Sequence, residues 1–194
     1  MSKFFRAFAF SSALIATGTV AGVPRTQPDQ ALQQLKSQLG NYRSITWATD
    51  HGYVPASGCE SHPTLGTMGF HYARPDLLGL TAPVNNRING TGTYTGANPP
   101  AILLYAPDGH GGLKLVGIEL LVFAAAWDAA NNHPPMYRGR AFNYMADDPN
   151  TPQDEAHGFM PHYDLHIWLF EHNPSGLYAQ WNPALSCAGQ SDEH

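Results

Sequence analysis

His162-Tyr163-Asp164-Leu165-His166-Ile167-Trp168-Leu169-Phe170 decides how the rest of the chain is read. As a strand it divides into two faces, because side chains alternate with a period of two. Tyr163, Leu165, Ile167 and Leu169 form an apolar face. His162, Asp164, His166, Trp168 and Phe170 form the other, with two imidazoles and a carboxylate beside two large aromatics. That composition suits the lining of a site. The plain alternative is a strand end whose histidines face solvent. Asn173-Pro174-Ser175-Gly176 closes the stretch, and Leu177 to Trp181 is expected to return as its hairpin partner.

Upstream, Ala101 to Tyr105 and Leu113 to Phe123 are two apolar runs flanking Pro107-Asp108-Gly109-His110-Gly111-Gly112, which predicts an antiparallel hairpin. Met68 to Ala73 reads as a short strand stopped by Arg74-Pro75, and Tyr137 to Phe142 as another. Thr81 to Pro100 lacks periodicity and reads as a long loop; Met145 to Pro161 reads as an acidic one. Ala124 to Ala130 suits a helical turn. Before the strands, Leu32, Leu35, Leu39 and Tyr42 recur at helical spacing after Asp29, a good N-cap, and Ile45 to Asp50 suits a second helical piece. The expected fold is α+β. An N-terminal helix packs on a largely antiparallel sheet curved into an open barrel or sandwich.

Three strands each carry one coordinating side chain. His71 follows Gly69 on one face of its strand. Glu119 points away from Val116, Ile118 and Leu120 in a strongly apolar run, and His166 lies in an equally apolar one. A buried carboxylate costs several kcal/mol unless it is paired, neutralised or bound to a cation. If the strands are neighbours, His71, Glu119 and His166 converge as a set able to hold Zn, Mn, Fe or Cu with positions left open. Tyr72, Phe123, Trp168 and Phe170 are the expected pocket walls. His162 lies four residues from His166, about 13 Å along a strand, too far to share an ion unless the chain bends. Asp164 shares their face and could act through water.

Three alternatives stand beside this site. Glu119 could pair with Arg138 or Arg140, the histidines could be hydrogen-bonded core residues, and Glu119 with His166 could act as a metal-free base and acid. No nucleophile-elbow, HExxH or phosphate-loop pattern is present. His157 and the remaining histidines read as surface groups. Asp147-Asp148 and Asp154-Glu155 read as a solvated acidic loop rather than a Ca²⁺ site.

The first residues read as an export signal, residues 1–22, followed by one secreted domain, 23–194. Lys3 and Arg6 form a basic start, Ala7 to Val20 an apolar run, and Thr19-Val20-Ala21 a small-residue cleavage site. The run is too short for a confident membrane span. The net charge is −5, and loss of Lys3 and Arg6 takes it to −7, with no basic run. Nucleic acid and anionic membranes are therefore poor partners, and a small molecule is the expected one. Charged residues make up only 13% of the chain, while Gly (19) and Pro (16) are plentiful, as suits a loop-rich β protein. In a secreted or periplasmic setting, Cys59 and Cys187 read as one disulfide, with free thiols or a metal role as alternatives. Asn89-Gly90-Thr91 is a glycosylation sequon if the host is eukaryotic.

From about Asp50 to Cys187 the chain resembles a family of small exported proteins of bacteria and fungi that has no assigned activity. The resemblance rests on His51-Gly52-Tyr53, Cys59, Met68-Gly69-Phe70-His71-Tyr72 and Pro100-x-x-Leu103-x-Tyr105-x-Pro107. It continues through Leu115-Val116-Gly117-Ile118-Glu119, Tyr163 to Leu169, Asn173-Pro174-x-Gly176, Asn182-Pro183 and Cys187. It implies that His71, Glu119 and His166 belong to one signature set, and it implies no reaction. The Thr81–Pro100 loop and the Ala124–Ala130 segment depart from the pattern. Together these readings predict a secreted small-molecule enzyme with a mononuclear metal site. The competing readings are a non-catalytic ligand-binding protein and a metal-free lyase or isomerase.

Overall fold

The structure is a computed structural model that describes residues 27–151 and 154–188. The proposed signal segment 1–22 lies outside the described residues. Helix α1 spans Gln27–Gln38, starting before Asp29, which therefore sits in the first turn rather than capping it. Pro28 suits that turn, where a missing N–H costs nothing. A 3₁₀ turn, Gly40–Arg43, leads to α2, Ile45–Asp50, capped by Ser44, whose Oγ accepts from the Trp47 N–H at 3.2 Å.

Among the described residues ten strands follow, with two short helices between them. These are β1 Val54–His62, β2 Gly66–Ala73, α3 Pro75–Leu78, β3 Leu80–Val84, β4 Arg87–Gly90 and β5 Ile102–Pro107. Then come β6 Leu113–Phe123, α4 Ala124–Asp128, β7 Met136–Tyr137, β8 Arg140–Ala141, β9 Asn143–Met145 and β10 His162–Ile167. Six strands make one antiparallel sheet in the order β1-β2-β5-β6-β10-β9, curled into a half-barrel. The α+β curved sheet is thus present, and β5 and β6 form the expected hairpin.

The sheet has a helix side and a loop side. Leu103, Tyr105, Ile118, Leu120, Leu165 and Ile167 pack under Leu35, Leu39, Tyr42 and Ala48 of the helical region. The other face buries Ala73, Ile102, Leu104, Leu121, Phe123 and Trp168 with Phe159 from the loop before β10. Gly69 makes the β2–β5 approach possible. Its φ is +97°, and a Cβ there would lie 2.2 Å from the Tyr105 carbonyl oxygen.

Four expectations are corrected. The Thr81–Pro100 stretch is not structureless, because β3 and β4 pair within it. There Arg87 ties β4 to the loop before β10, bridging Asp147 and Asp154. Residues 137–142 form no single strand; Arg138 at φ 51° and Gly139 turn the chain between β7 and β8. Val116 belongs to the loop-side core with Glu119's face, because an irregularity between β5 and β6 shifts the alternation there. The last hairpin is absent. After Ile167 the Leu169 N–H donates to the Ile167 carbonyl at 3.0 Å, which ends the pleat, and Leu177–Trp181 is not a strand.

Cys59 and Cys187 are bonded, with Cα atoms 5.8 Å apart and a sequence separation of 128. The bond joins β1 to the segment after the isolated bridge Thr67–Asn182. No helix among the described residues is long and apolar enough to cross a membrane.

Candidate metal centre

The sheet register brings the coordinating side chains together. Glu119 on β6 is the direct cross-strand partner of His166 on β10 and of Ile102 on β5, while His71 on β2 faces Leu104. All three polar side chains project to the loop side and are buried, at 1–2% exposure. One ligand atom from each of His71, Glu119 and His166 lies within 4.8 Å of the others, so the set could hold a metal ion. His71 Nε2 is 3.3 Å from Glu119 Oε2. No arginine reaches Glu119 among the described residues; Arg140 instead lies over the Tyr178 ring at 4.6 Å.

The hydrogen bonds around the imidazoles fix their orientation. The Ser57 hydroxyl donates to the Gly58 carbonyl at 2.9 Å. It therefore accepts from His71 Nδ1 at 2.8 Å, which leaves the His71 Nε2 lone pair facing Glu119. His162 is held similarly: its Nδ1 donates to the Met160 carbonyl at 3.0 Å, and its other nitrogen is left with the lone pair. An imidazole anchored through one nitrogen and presenting the other is the usual posture of a metal-ligating histidine. Five buried polar atoms have no hydrogen-bond partner among the described residues: Glu119 Oε2, Asp164 Oδ2, both ring nitrogens of His166, and His157 Nε2. Such atoms cost roughly 1–3 kcal/mol each when left unpaired in an apolar surrounding.

Burial dominates the electrostatics. It pushes the Glu119 carboxyl well above the usual carboxylate range, with the Asp164 charge adding to it. It lifts Asp164 to about 7. It holds His71 well below the usual imidazole range, and lowers His166 to about 3 and His162 to about 4, so all three rings are neutral at pH 7.

Several residues fall where the sequence did not place them. His162 stays out of the trio that contains His166, as the spacing along the strand predicts, but with Glu119 and Asp164 it forms a second trio whose ligand atoms also lie within 4.8 Å of one another. Spacing along the strand measures Cα separation, whereas side chains on the inner face of a curled sheet lean toward one another. Asp164 is fully buried, with Oδ2 3.5 Å from His166 Nδ1 and Asn143 Nδ2 donating to Oδ1 at 3.5 Å. His157 is not a surface group but 6% exposed, stacked on His71 with ring centroids 6.3 Å apart. Its φ of 52° is a strained value for a histidine. No periodicity marks it; only its place beside Gly158 in the loop gripped by Arg87 could have hinted at a turn.

The expected walls divide between the two faces. Trp168 stays on the site side, 6.2 Å from the His166 ring, with Nε1 donating to the Ala179 carbonyl. Phe123 is buried on the same side, against Gly90. Tyr72 and Phe170 are corrected. Tyr72 alternates with His71 and packs on Tyr105 beneath the helices. Phe170 crosses to that side because the pleat ends at Ile167, and Arg43 and Lys36 lie over its ring. Phe159 takes the wall position, 6.5 Å from His71 and 5.6 Å from His162.

His157 also lines a cavity of about 340 Å³ shared with Glu60, His62, Met145, Asp154 and Trp181, and His71, Glu119 and His166 are not among its lining residues. Glu60 Oε2 lies 3.7 Å from His157 Nδ1. Compared with protein-family models, curated proteins and solved structures, the chain matches none of them.

Proposed function

We propose that this is an exported small-molecule enzyme whose centre is a divalent metal ion held by His71, Glu119 and His166. The observation that carries the reading is the cluster of buried atoms without partners around those three residues. The His71 Nε2 lone pair faces a Glu119 carboxyl oxygen 3.3 Å away that makes no hydrogen bond among the described residues. A cation between them satisfies both. Two neutral imidazoles and one carboxylate suit Zn, Mn, Fe or Cu and leave coordination positions open. A bound ion of this kind polarises a substrate oxygen or acidifies a bound water.

The chain's own residues do the rest. Ser57 and Met160 set the ring orientations of His71 and His162. Trp168 and Phe159 pack against the imidazoles, and His157, stacked on His71, links the site to the neighbouring cavity of about 340 Å³, where a small substrate would bind. Glu119 and His166 act on it through the ion they hold, and directly as base and acid only in the metal-free alternative. The Cys59–Cys187 bond and the basic-then-apolar start at Lys3 to Val20 support export to an oxidising compartment, and membership of the exported family stays part of this proposal. Elemental analysis of untagged protein tests the reading. About one or more equivalents of a transition metal, lost in Glu119→Gln and His166→Ala, is the expected result. Metal content that is negligible, or unchanged in both variants, refutes it.

A further inference from the structure

We infer that the centre takes two divalent cations, with Glu119 as the bridging carboxylate between a His71/His166 site and a His162/Asp164 site. This rests on the metal reading above and extends it from one ion to a pair. Metal–ligand bonds of about 2.0–2.3 Å require the atoms around one ion to lie within about 4.6 Å of one another. The five buried side chains come close to this limit as two trios that share Glu119, not as one group of five. His71 Nε2 lies 3.3 Å from Glu119 Oε2, and the two trios also adjoin where Asp164 Oδ2 lies 3.5 Å from His166 Nδ1.

The second trio has the marks of a built site in its own right. His162 is 1% exposed, anchored through Nδ1 to Met160, with its other nitrogen turned inward. Asp164 has no exposure, and its Oδ2 has no hydrogen-bond partner among the described residues. A water-filled explanation fits poorly, because the walls here are Phe159, Leu121 and Phe123. Charge also favours a pair. Two carboxylates in an apolar pocket with three neutral rings offer two negative charges, and bridging by Glu119 distributes them over both ions. Paired ions about 3.5–4 Å apart clamp the attacking and leaving oxygens of a displacement, a task one ion does less well.

The competing geometry gives Asp164 a positioning role, holding His166 through Nδ1 at 3.5 Å beside a single ion. Titration of metal-free, untagged protein with Zn²⁺, followed by gel filtration and elemental analysis, separates the two. The expected result is two equivalents for the wild type and one for His162→Ala. Loading with Mn²⁺ gives a readout that needs no variant: the electron paramagnetic resonance spectrum should show exchange coupling between neighbouring Mn²⁺ ions. One equivalent of zinc with an uncoupled six-line manganese spectrum overturns the two-ion centre and leaves the single-ion site standing. Binding of no metal overturns both. A second equivalent that persists in His162→Ala, with no coupling in the wild type, assigns that ion to the surface and also overturns the pair.

Discussion

Replacing Glu119 by Gln separates what the carboxylate does for the fold from what it does for the ion. The side chain is 2% exposed, and burial holds its carboxyl well above the usual range. Burial already disfavours its charged form, so in metal-free protein an amide of the same shape should change little. Metal-free stability should move by less than about 1 kcal/mol, within the ordinary range for a tolerated substitution. The effect on the ion is large. Binding at a hundred times the dissociation constant stabilises a folded protein by about 2.7 kcal/mol. For a chain of 194 residues, each kcal/mol is about 2–4 °C of melting temperature, so the wild type should gain about 5–11 °C. Removing one anionic ligand of three should weaken binding at least about 100-fold, more than the 10- to 100-fold seen when only an outer partner is lost. At the same metal concentration the variant then keeps about 0.4 kcal/mol, or about 1–2 °C. Differential scanning fluorimetry of metal-free protein with and without added Zn²⁺ reads both numbers. A full metal-induced shift in Glu119→Gln would show that the ion sits elsewhere. A variant that unfolds without metal would show that Glu119 holds the fold together.

Four further outcomes follow from the same geometry. Tyr72→Phe and Phe170→Leu should leave metal content unchanged, since both rings lie on the helix side of the sheet; loss of metal in either would put the pocket walls where the sequence first suggested. Metal affinity should rise with pH: Asp164 and Glu119, with raised pKa values, must give up protons to take a cation, while the lowered histidines are already neutral, so the dissociation constant should fall about tenfold from pH 6 to 8 for one proton leaving near 7, and a flat profile in calorimetry contradicts this. Cys59→Ser with Cys187→Ser should cost up to about 5 kcal/mol in urea unfolding, from a closed loop of 128 residues in the chain-entropy model, and a loss under 1 kcal/mol would show that the loop is ordered in the denatured state. Gly69→Ala should cost at least about 2 kcal/mol, because φ +97° is strained for alanine and its Cβ would meet the Tyr105 carbonyl; a wild-type melting temperature would disprove the close β2–β5 approach.

What could be read from the chain was set by alternation. Glu119 and His166 stood out because each is a polar residue in the middle of an apolar strand, where period-two placement fixes the face. The β5–β6 hairpin was legible because two apolar runs flank a turn built from Pro, Asp and Gly. Alternation fails where a strand stops, so it puts Phe170 on the wrong face once the pleat ends at Ile167. It is silent where a loop is held by contacts distant in sequence. Arg87 draws the segment carrying His157 and Phe159 across the sheet, and the pairing of Ile88 with Phe159 spans 71 residues. No local pattern encodes that. The second trio is not legible because its members meet across strands, Glu119 of β6 with His162 and Asp164 of β10, which no spacing within one strand encodes.

The link between Cys59 and Cys187 sets an order of events during biogenesis. One thiol belongs to the outermost strand of the sheet and the other to a segment reached only after β10 has been made. During vectorial emergence the first waits, unpaired, through 128 residues of chain. By the time its partner arrives, β1–β2 pairing and the Thr67–Asn182 bridge can already have drawn the two sulfurs near each other. Oxidation then acts on a nearly finished fold as a latch. Cells that make this protein need an oxidant able to reach a folded substrate more than an isomerase to correct wrong pairings, since a chain with two cysteines has no intramolecular mispairing to correct.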